Sequence, residues 1–272
     1  MIRQNLHTHT LYDDGKSTPA EMADAALAAG LTSLGFSGHS VLPYENDWAM
    51  TPGSLADYLA DVERTREIFS DRLRIYRGLE WDLLSEPPEG YDYIIGSVHH
   101  LGMEYPGFTV DEAPEVTQNA LEAWFGGSPD ALAEAYFARY EALSRTPFVD
   151  IVGHFDLLTK FDEKAGIFDA ASPRFREAAM DALSLLCRSD KLFEVNTGAI
   201  SRGWRTTPYP SRELLRELLS RRARVLVTSD AHSADNLACA FSETERLLLD
   251  VGFRETWELS EDGFVPVPIY VN

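Results

Sequence analysis

The sequence is poor in cysteine and has no long apolar run. Only two of its 272 residues are cysteine, Cys187 and Cys239, and each is expected to be a small buried hydrophobic residue. Two isolated cysteines exclude a disulfide-rich secreted domain and favour a reducing compartment. No signal-peptide pattern is found, and no run approaches the roughly 18 apolar residues of a membrane span. We therefore expect a cytoplasmic protein without a membrane partner.

Positive charge is also scarce. The chain has 24 Lys and Arg against 44 Asp and Glu, which gives a formal net charge of −20. Proteins that bind nucleic acids need clustered Lys and Arg to neutralise phosphates, so we expect no nucleic-acid partner. The negative charge favours cationic ligands or metal ions, although a general acidic bias of the organism predicts the same balance. The sequence leaves the oligomeric state open.

Internal repeats, low-complexity stretches and linkers are missing as well, so we expect one domain over residues 1–272. What recurs is a short strand pattern, a loop and a helix. The strand patterns cover residues 2–6, 32–37, 73–79, 91–98, 148–153, 191–196 and 224–228. Alternating strands and helices predict a parallel sheet, and seven such units predict a closed β/α barrel.

One segment interrupts this alternation. Residues 101–147 are too many for one loop and helix, and several glycines and prolines punctuate them. We expect a helical insertion here, and the sequence leaves open whether it is a lid over the site or an extra pair of packed helices.

Metal-binding side chains follow the predicted strands. In a β/α barrel, functional groups gather at the C-terminal ends of the strands, and all seven histidines of the chain follow a strand pattern. Residues i and i+2 of a strand face the same way, so His7-Thr8-His9 and Asp230-Ala231-His232 each direct two candidate ligands to one place. The candidate ligands are His7, His9, Asp13 or Asp14, His39, Glu80, His99 or His100, His154, Asp230 and His232.

The number of candidates bears on the chemistry. Six or seven imidazoles and three carboxylates exceed the four ligands of one tetrahedral ion, so we expect two or three ions. Imidazole and carboxylate ligands without thiolate suit zinc, iron or manganese. The sequence contains no P-loop, no G-x-S-x-G motif and no recognisable serine or cysteine nucleophile. Water activated by metal ions is then the expected nucleophile.

The ordered motifs resemble those of a known family, the PHP (polymerase and histidinol phosphatase) superfamily. The matching motifs are His7-Thr8-His9-Thr10 with Asp14-Gly15, His39, Gly78-Leu79-Glu80, Gly96-Ser97-Val98-His99, Gly153-His154 and Ser229-Asp230-Ala231-His232. The resemblance implies a distorted (β/α)7 TIM-like barrel with its metal site at the C-terminal ends of the strands. Within the family, the stretch from Glu194 to Gly198 with Arg202 and Arg205, and Gly153-His154-Phe155-Asp156 with Lys160, resemble stand-alone L-histidinol-phosphate phosphatases.

The resemblance also implies a ligand scheme. One ion would be held by His7, His9, Glu80 and Asp230. A second ion would share Glu80 and add His99 and His154, and a third would take Asp14, His39 and His232. This scheme selects His99 over His100 and Asp14 over Asp13. The third ion would be the weakest, since some relatives carry a histidine near the position of Asp14.

The implied reaction is the hydrolysis of L-histidinol phosphate to L-histidinol and phosphate, a step of histidine biosynthesis. Glu80 would bridge two ions, and the third ion, Asp230 or His232 would serve the leaving alkoxide. Arg202, Arg205 and Lys160 would contact the phosphate. Two alternatives remain open. The chain could be a PHP phosphoesterase for another small phosphate or a nucleotide, or a metal-binding regulator without catalysis.

Overall fold

A computed structural model describes residues 1–105 and 108–270, and its main feature is one sheet of seven parallel strands. The strands are adjacent in chain order: β1 (Gln4–Asn5), β2 (Ser33–Phe36), β3 (Arg74–Asp82), β4 (Tyr93–Ser97), β5 (Ile151–Val152), β6 (Leu192–Asn196) and β7 (Val225–Thr228). Each lies within or overlaps one of the seven predicted strand patterns. The amide of His9 donates to the carbonyl of Ala231 (2.9 Å), which joins the two ends of the sheet. The predicted seven-stranded TIM-like barrel is thereby confirmed.

Helices surround the barrel. They are α1 (Pro19–Ala28), α2 (Pro52–Phe69), α3 (Pro114–Trp124), α4 (Pro129–Ala138), α5 (Tyr140–Ser144), α6 (Asp162–Ala165), α7 (Pro173–Leu186), α8 (Gly198–Ser201), α9 (Arg212–Ser220) and α10 (Phe241–Val251). At the start of α1, the Thr18 hydroxyl accepts from the Glu21 amide, and the Glu21 carboxylate accepts from the Thr18 amide. Gly30 follows the helix with φ +77°, a conformation that glycine adopts without steric cost.

The segment 101–147 contains α3, α4 and α5 within its described residues, and residues 106 and 107 lie outside them. The buried hydroxyls of Tyr136 and Tyr140 both donate to the carbonyl of Phe155, at 3.1 and 2.9 Å. Phe155 directly follows His154, so α4 and α5 are anchored to the loop after β5. Both alternatives for this segment, a lid over the site or an extra pair of packed helices, stay predictions.

A C-terminal hairpin packs at the end of the barrel where the strands begin. It consists of β8 (Glu255–Ser260) and β9 (Gly263–Pro268). The Gln4 side chain of β1 donates to the carbonyl of Leu259 (3.0 Å) and accepts from its amide (2.7 Å), while the Tyr76 hydroxyl of β3 donates to the same carbonyl. The hairpin thus covers the start of the strands and leaves their C-terminal ends open.

Among the described residues, no helix is both long enough and apolar enough to cross a membrane.

Candidate metal centre

A cavity of about 490 Å³ opens at the C-terminal ends of the barrel strands. Most of the predicted ligands line it, and so do two of the three predicted phosphate-binding residues. The lining residues are Asp14, His39, Asp47, Trp48, Glu80, His99, Thr109, Asp111, Glu112, His154, Leu157, Lys160, Arg202, Asp230 and His232. His7 and His9 are fully buried and contact Glu80 and Asp230.

Glu80, near the end of β3, lies between two pairs of histidines. Its Oε2 lies 3.2 Å from Nε2 of His7 and 3.6 Å from Nε2 of His9. Its Oε1 lies 2.9 Å from Nε2 of His154 and 3.4 Å from Nε2 of His99. The two oxygens of one carboxylate therefore face two separate groups of nitrogens, which is the geometry expected of a carboxylate shared by two ions.

Asp230 completes the first group of ligands. Its Oδ1 lies 3.2 Å from Nε2 of His9 and 3.8 Å from Nε2 of His7. The backbone at Asp230 has φ +47°, an uncommon value for a residue other than glycine. Such strain at a loop end is typical of functional sites, where the surrounding structure imposes it.

A further group lies nearer the opening of the cavity. Oδ2 of Asp14 lies 3.1 Å from Nε2 of His232, and Oδ1 of Asp14 lies 3.8 Å from Nε2 of His39. His39 also reaches inward, since its Nδ1 lies 2.9 Å from Oε2 of Glu80. Within the described part of the chain, potential ligand atoms within 4.8 Å of one another occur in three groups: His7, His9 and Asp230; His39, Glu80 and His99; and His9, Asp14, His39 and His232.

The polar atoms at the centre of the site fit a cation. Among the described residues, Nε2 of His7, Nε2 of His9 and Oε2 of Glu80 are buried, and none of their close contacts, including that of Oε2 with Nδ1 of His39, has the geometry of a hydrogen bond. A buried polar atom without a partner costs about 1–3 kcal/mol. Three such atoms converge here, and all three are of types that coordinate zinc. Divalent ions would supply the missing partners, so the residues present fit the expected metals.

Burial and close charges set the protonation of the site. Burial opposes the charged form of His9, but the Asp13 carboxylate beside it raises the pKa of His9 to about 10. Burial likewise opposes ionisation of Glu80, yet the surrounding histidines hold the pKa of this carboxyl well below its ordinary value. Burial and the nearby His9 lower the pKa of His232. The carboxylates are thus ionised and share protons with neighbouring imidazoles. Metal ions would displace these protons on binding.

Two carboxylates orient ligands from behind. Oε1 of Glu194, on β6, lies 2.5 Å from Nδ1 of His7, and Oε2 accepts from the amide of His154 (2.8 Å). Asp13 lies 2.6 Å from Nδ1 of His9 and accepts from the amide of His39 (3.1 Å). Such partners fix the ring so that the other nitrogen faces the metal. From the sequence, Glu194 belongs to a motif but has no predicted role. A charged residue inside the predicted strand 191–196 was the available signal.

The structure distinguishes His99 from His100 and Asp14 from Asp13, which the strand pattern left as alternatives. His99 lines the cavity, whereas Nδ1 of His100 points to Asp82 (3.0 Å) and Nε2 accepts from the Tyr44 hydroxyl. Asp14 lines the cavity, while Asp13 lies behind His9. Both placements agree with the scheme that the family resemblance implies.

The three predicted phosphate-binding residues lie in different places. Arg202 lines the cavity and donates through Nη2 to Oδ2 of Asp230 (2.9 Å). Lys160 lines it too, and its ammonium donates to the carboxylate of Asp111 (3.0 Å). Arg205 is absent from the lining, donates to the hydroxyl of Thr159 (2.6 Å) and stacks on the Tyr209 ring. The loop after α8 thus directs the Arg205 guanidinium to these partners and not into the cavity.

Comparison with known proteins agrees with the fold and the ligand pattern. The model of the PHP domain family matches residues 5–198. The chain is 33% identical to a protein of Deinococcus radiodurans named "Probable histidinol-phosphatase", over 91% of this chain and 93% of the relative. It is 24% identical to the histidinol-phosphatase of Bacillus subtilis, over 89% of this chain and 97% of that protein.

A solved structure is also similar. The crystal structure of histidinol phosphate phosphatase from Lactococcus lactis, in complex with zinc, L-histidinol and phosphate, superposes with a TM-score of 0.74 over 97% of this chain and 98% of its own, at 18% identity. That likeness shows a common fold. Together with the family match over most of the chain, it establishes that this protein belongs to the PHP domain family.

Proposed function

We propose that this protein is a histidinol-phosphatase, a phosphoric monoester hydrolase that converts L-histidinol phosphate to L-histidinol and phosphate in histidine biosynthesis. The observation that carries the proposal is the position of Glu80 between two pairs of histidines, with Arg202 and Lys160 in the same cavity. The names of the relatives support the substrate, and the family supports metal-dependent chemistry on phosphate esters.

Two to three divalent ions, of zinc, iron or manganese, would occupy the site. We assign His7, His9, Glu80 and Asp230 to the first, Glu80, His99 and His154 to the second, and Asp14, His39 and His232 to the third. When bound, these ions supply Lewis-acid activation of water and neutralise the charge of the phosphoryl oxygens. Because Asp14 is about one-third exposed, the third position is the most open to solvent.

The side chains of the site divide the remaining work. Arg202 presents a guanidinium beside Asp230, where it can bind phosphoryl oxygens through charge-assisted hydrogen bonds, and Lys160 adds a second positive charge. His232 lies partly exposed beside Asp14 and Asp230, so in a site with two ions it would be free to serve the leaving alkoxide. In a site with three ions it would hold the third ion instead. Asp230 would hold His232 in place, since Nδ1 of His232 lies 3.0 Å from the carbonyl of Asp230.

The cellular setting follows from the same proposal. We place the enzyme in the cytoplasm, a location that its two free cysteines favour. Its partner is a small phosphate ester, and the net charge of −20 is unsuited to a polyphosphate backbone.

A substrate panel tests the proposal. Phosphate release is measured after reconstitution with zinc, iron or manganese, using L-histidinol phosphate, a neutral alkyl phosphate and a nucleoside monophosphate. We expect kcat/KM to be highest for L-histidinol phosphate. A preference for the nucleotide would contradict the substrate and keep the phosphatase reaction, whereas metal-loaded protein without turnover on any ester would contradict both.

A further inference from the structure

The loop between β2 and α2 presents a large aromatic surface to the cavity. Trp48 lies on this loop, is partly buried, and packs edge-on against His39 with ring centroids 4.7 Å apart. Its ring centroid also lies 5.7 Å from that of His99. The indole stacks on His100 with ring centroids 5.8 Å apart and an interplanar angle of 19°. Among the described residues that line the cavity, Trp48 carries the only ring that is not a candidate metal ligand.

A chain of hydrogen bonds holds this loop to the barrel. The Tyr44 hydroxyl donates to Nε2 of His100, and Nδ1 of His100 donates to Oδ2 of Asp82 (3.0 Å). Since a carboxylate only accepts, the proton of His100 lies on Nδ1, and Nε2 is free to accept from Tyr44. Burial and the negative charge of Asp82 raise the pKa of Tyr44 to about 12, so its hydroxyl remains a donor at neutral pH.

Local bonds fix the turn that carries the indole. The side-chain oxygen of Asn46 accepts from the amides of Trp48 (3.2 Å) and Ala49 (2.6 Å). His100 is 3% exposed, so the surface on which Trp48 stacks is itself rigidly enclosed. The loop that carries the indole is therefore held both by the Asn46 side chain and by the hydrogen bond from Tyr44 to His100.

Two carboxylates accompany the indole. Asp47, next to Trp48, and Glu112, from the segment 101–147, line the same cavity. The positive charges of the cavity, Arg202 and Lys160, also line it but have carboxylate partners of their own. The surroundings of Trp48 thus combine an aromatic ring with negative charge, which suits a flat, cationic organic group.

We propose that Trp48 is the specificity-determining residue that receives the ring of the substrate, and that Tyr44 and His100 position it. This inference rests on the proposed function, in which the phosphate lies at the metals and the imidazole and amine extend into the remaining space. Asp82 fixes the inner end of these hydrogen bonds, because it also accepts from the backbone amide of His99 at 3.3 Å.

The test compares two substrates that differ only in the ring. L-Histidinol phosphate carries imidazole, amine and phosphate, and alaninol phosphate lacks the imidazole. The measured quantity is kcat/KM for L-histidinol phosphate divided by kcat/KM for alaninol phosphate. Zinc content is measured alongside it. In Trp48→Ala we expect this ratio to fall by about tenfold or more, as expected for a lost aromatic contact with its buried area, and Trp48→Phe should recover most of it.

The positioning residues have their own signature. Tyr44→Phe removes the hydrogen bond to His100 and should lower the same ratio, mainly through a higher KM for L-histidinol phosphate, with zinc content unchanged. Trp124→Ala and Tyr76→Phe are matched controls, since Trp124 is an exposed residue of α3 and Tyr76 bonds to the hairpin at the other end of the barrel. Both should keep the parent ratio.

The outcomes distinguish the two proposals. If Trp48→Ala leaves the ratio unchanged, or lowers kcat/KM equally for both substrates, the inference is wrong and the proposed function stands. If the metal-loaded parent protein hydrolyses neither substrate but hydrolyses another phosphate ester, the proposed function fails and the inference fails with it.

Discussion

Oε1 of Glu194 lies 2.5 Å from Nδ1 of His7 beneath the candidate metal site. Both side chains are fully buried, and Glu194 also accepts from the hydroxyl of Thr228 (2.6 Å). The carboxylate accepts the proton of Nδ1, so the lone pair of Nε2 faces Glu80 and Asp230. A residue that contacts no predicted ion thereby determines how His7 can bind one.

We expect Glu194→Gln to weaken metal binding. The amide is a poorer acceptor for the proton of His7 and supplies no negative charge, so the affinity for zinc should fall about 10- to 100-fold. Competition with a chromophoric chelator measures this directly. Glu134→Gln is the matched control, because Glu134 is an exposed residue paired with Arg174. Equal zinc affinity in the parent and Glu194→Gln would show that Glu194 only fills space.

Glu80→Gln should cost far more activity than His100→Ala. Glu80 faces both histidine pairs, whereas His100 points away from the cavity. We expect Glu80→Gln to lose at least one ion and to lower kcat by orders of magnitude, while His100→Ala keeps its metals and changes mainly substrate selectivity. Elemental analysis and phosphate release measure the two effects. Similar losses in both variants would contradict the bridging position of Glu80.

Lys160→Ala should raise the KM for a phosphate ester. A charge-assisted hydrogen bond is worth about 1.5–3 kcal/mol, which corresponds to roughly 10- to 150-fold. Steady-state kinetics at constant zinc content measure the change. Lys164→Ala is the control, since Lys164 is exposed and lies over the Trp204 ring. A parent-like KM in Lys160→Ala would leave Arg202 as the principal phosphate contact.

The buried carboxyl of Asp162 should make the free energy of unfolding depend measurably on pH. Burial raises the pKa of its carboxyl to about 6, against about 3.9 in an unfolded chain. Because the folded-state value is the higher one, its stabilising contribution is complete below about pH 4 and is lost as the pH rises through about 6. Asp162→Asn stays neutral and can still accept from the amide of Phe168, as Asp162 does at 3.1 Å.

We therefore expect Asp162→Asn to gain stability relative to the parent between pH 5 and pH 7. The gain in the free energy of unfolding should be about 1–2 kcal/mol, since solvent reaches part of the group. Urea unfolding of metal-loaded protein at both pH values measures it. Asp169→Asn, at an exposed turn, should follow the parent. A stability difference that does not depend on pH would contradict the raised pKa.

The sequence predicted the barrel and the convergence of its ligands because both follow from local pattern. Strand patterns that alternate with loops and helices predict the seven strands, and parallel strands bring their C-terminal ends to one edge. His7 and Asp230 are more than two hundred residues apart, yet β1 and β7 are neighbours in the closed barrel. The place after a strand predicts most of the ligands, whereas the choice of His99 over His100 and of Asp14 over Asp13 came from the family resemblance.

The residues that support the ligands could not be predicted in the same way. Trp48 lies in an irregular loop, and neither its edge-on contact with His39 nor the hydrogen bond between Tyr44 of the same loop and His100 follows from a local pattern. The direction of Arg205 was also beyond the sequence, because both Arg202 and Arg205 follow β6 and only the turn between them decides which faces the metals. The hairpin β8–β9 was missed, since its pairing to Gln4 joins distant parts of the chain.

The most direct test of the account is a metal titration of activity. Protein stripped by a chelator is supplied with increasing equivalents of zinc, and hydrolysis of L-histidinol phosphate is measured at each point. We expect no activity without metal and a rise that ends at two to three equivalents per chain, with Glu80→Gln remaining inactive throughout. Full activity in the presence of chelator, or saturation below one equivalent, would contradict it.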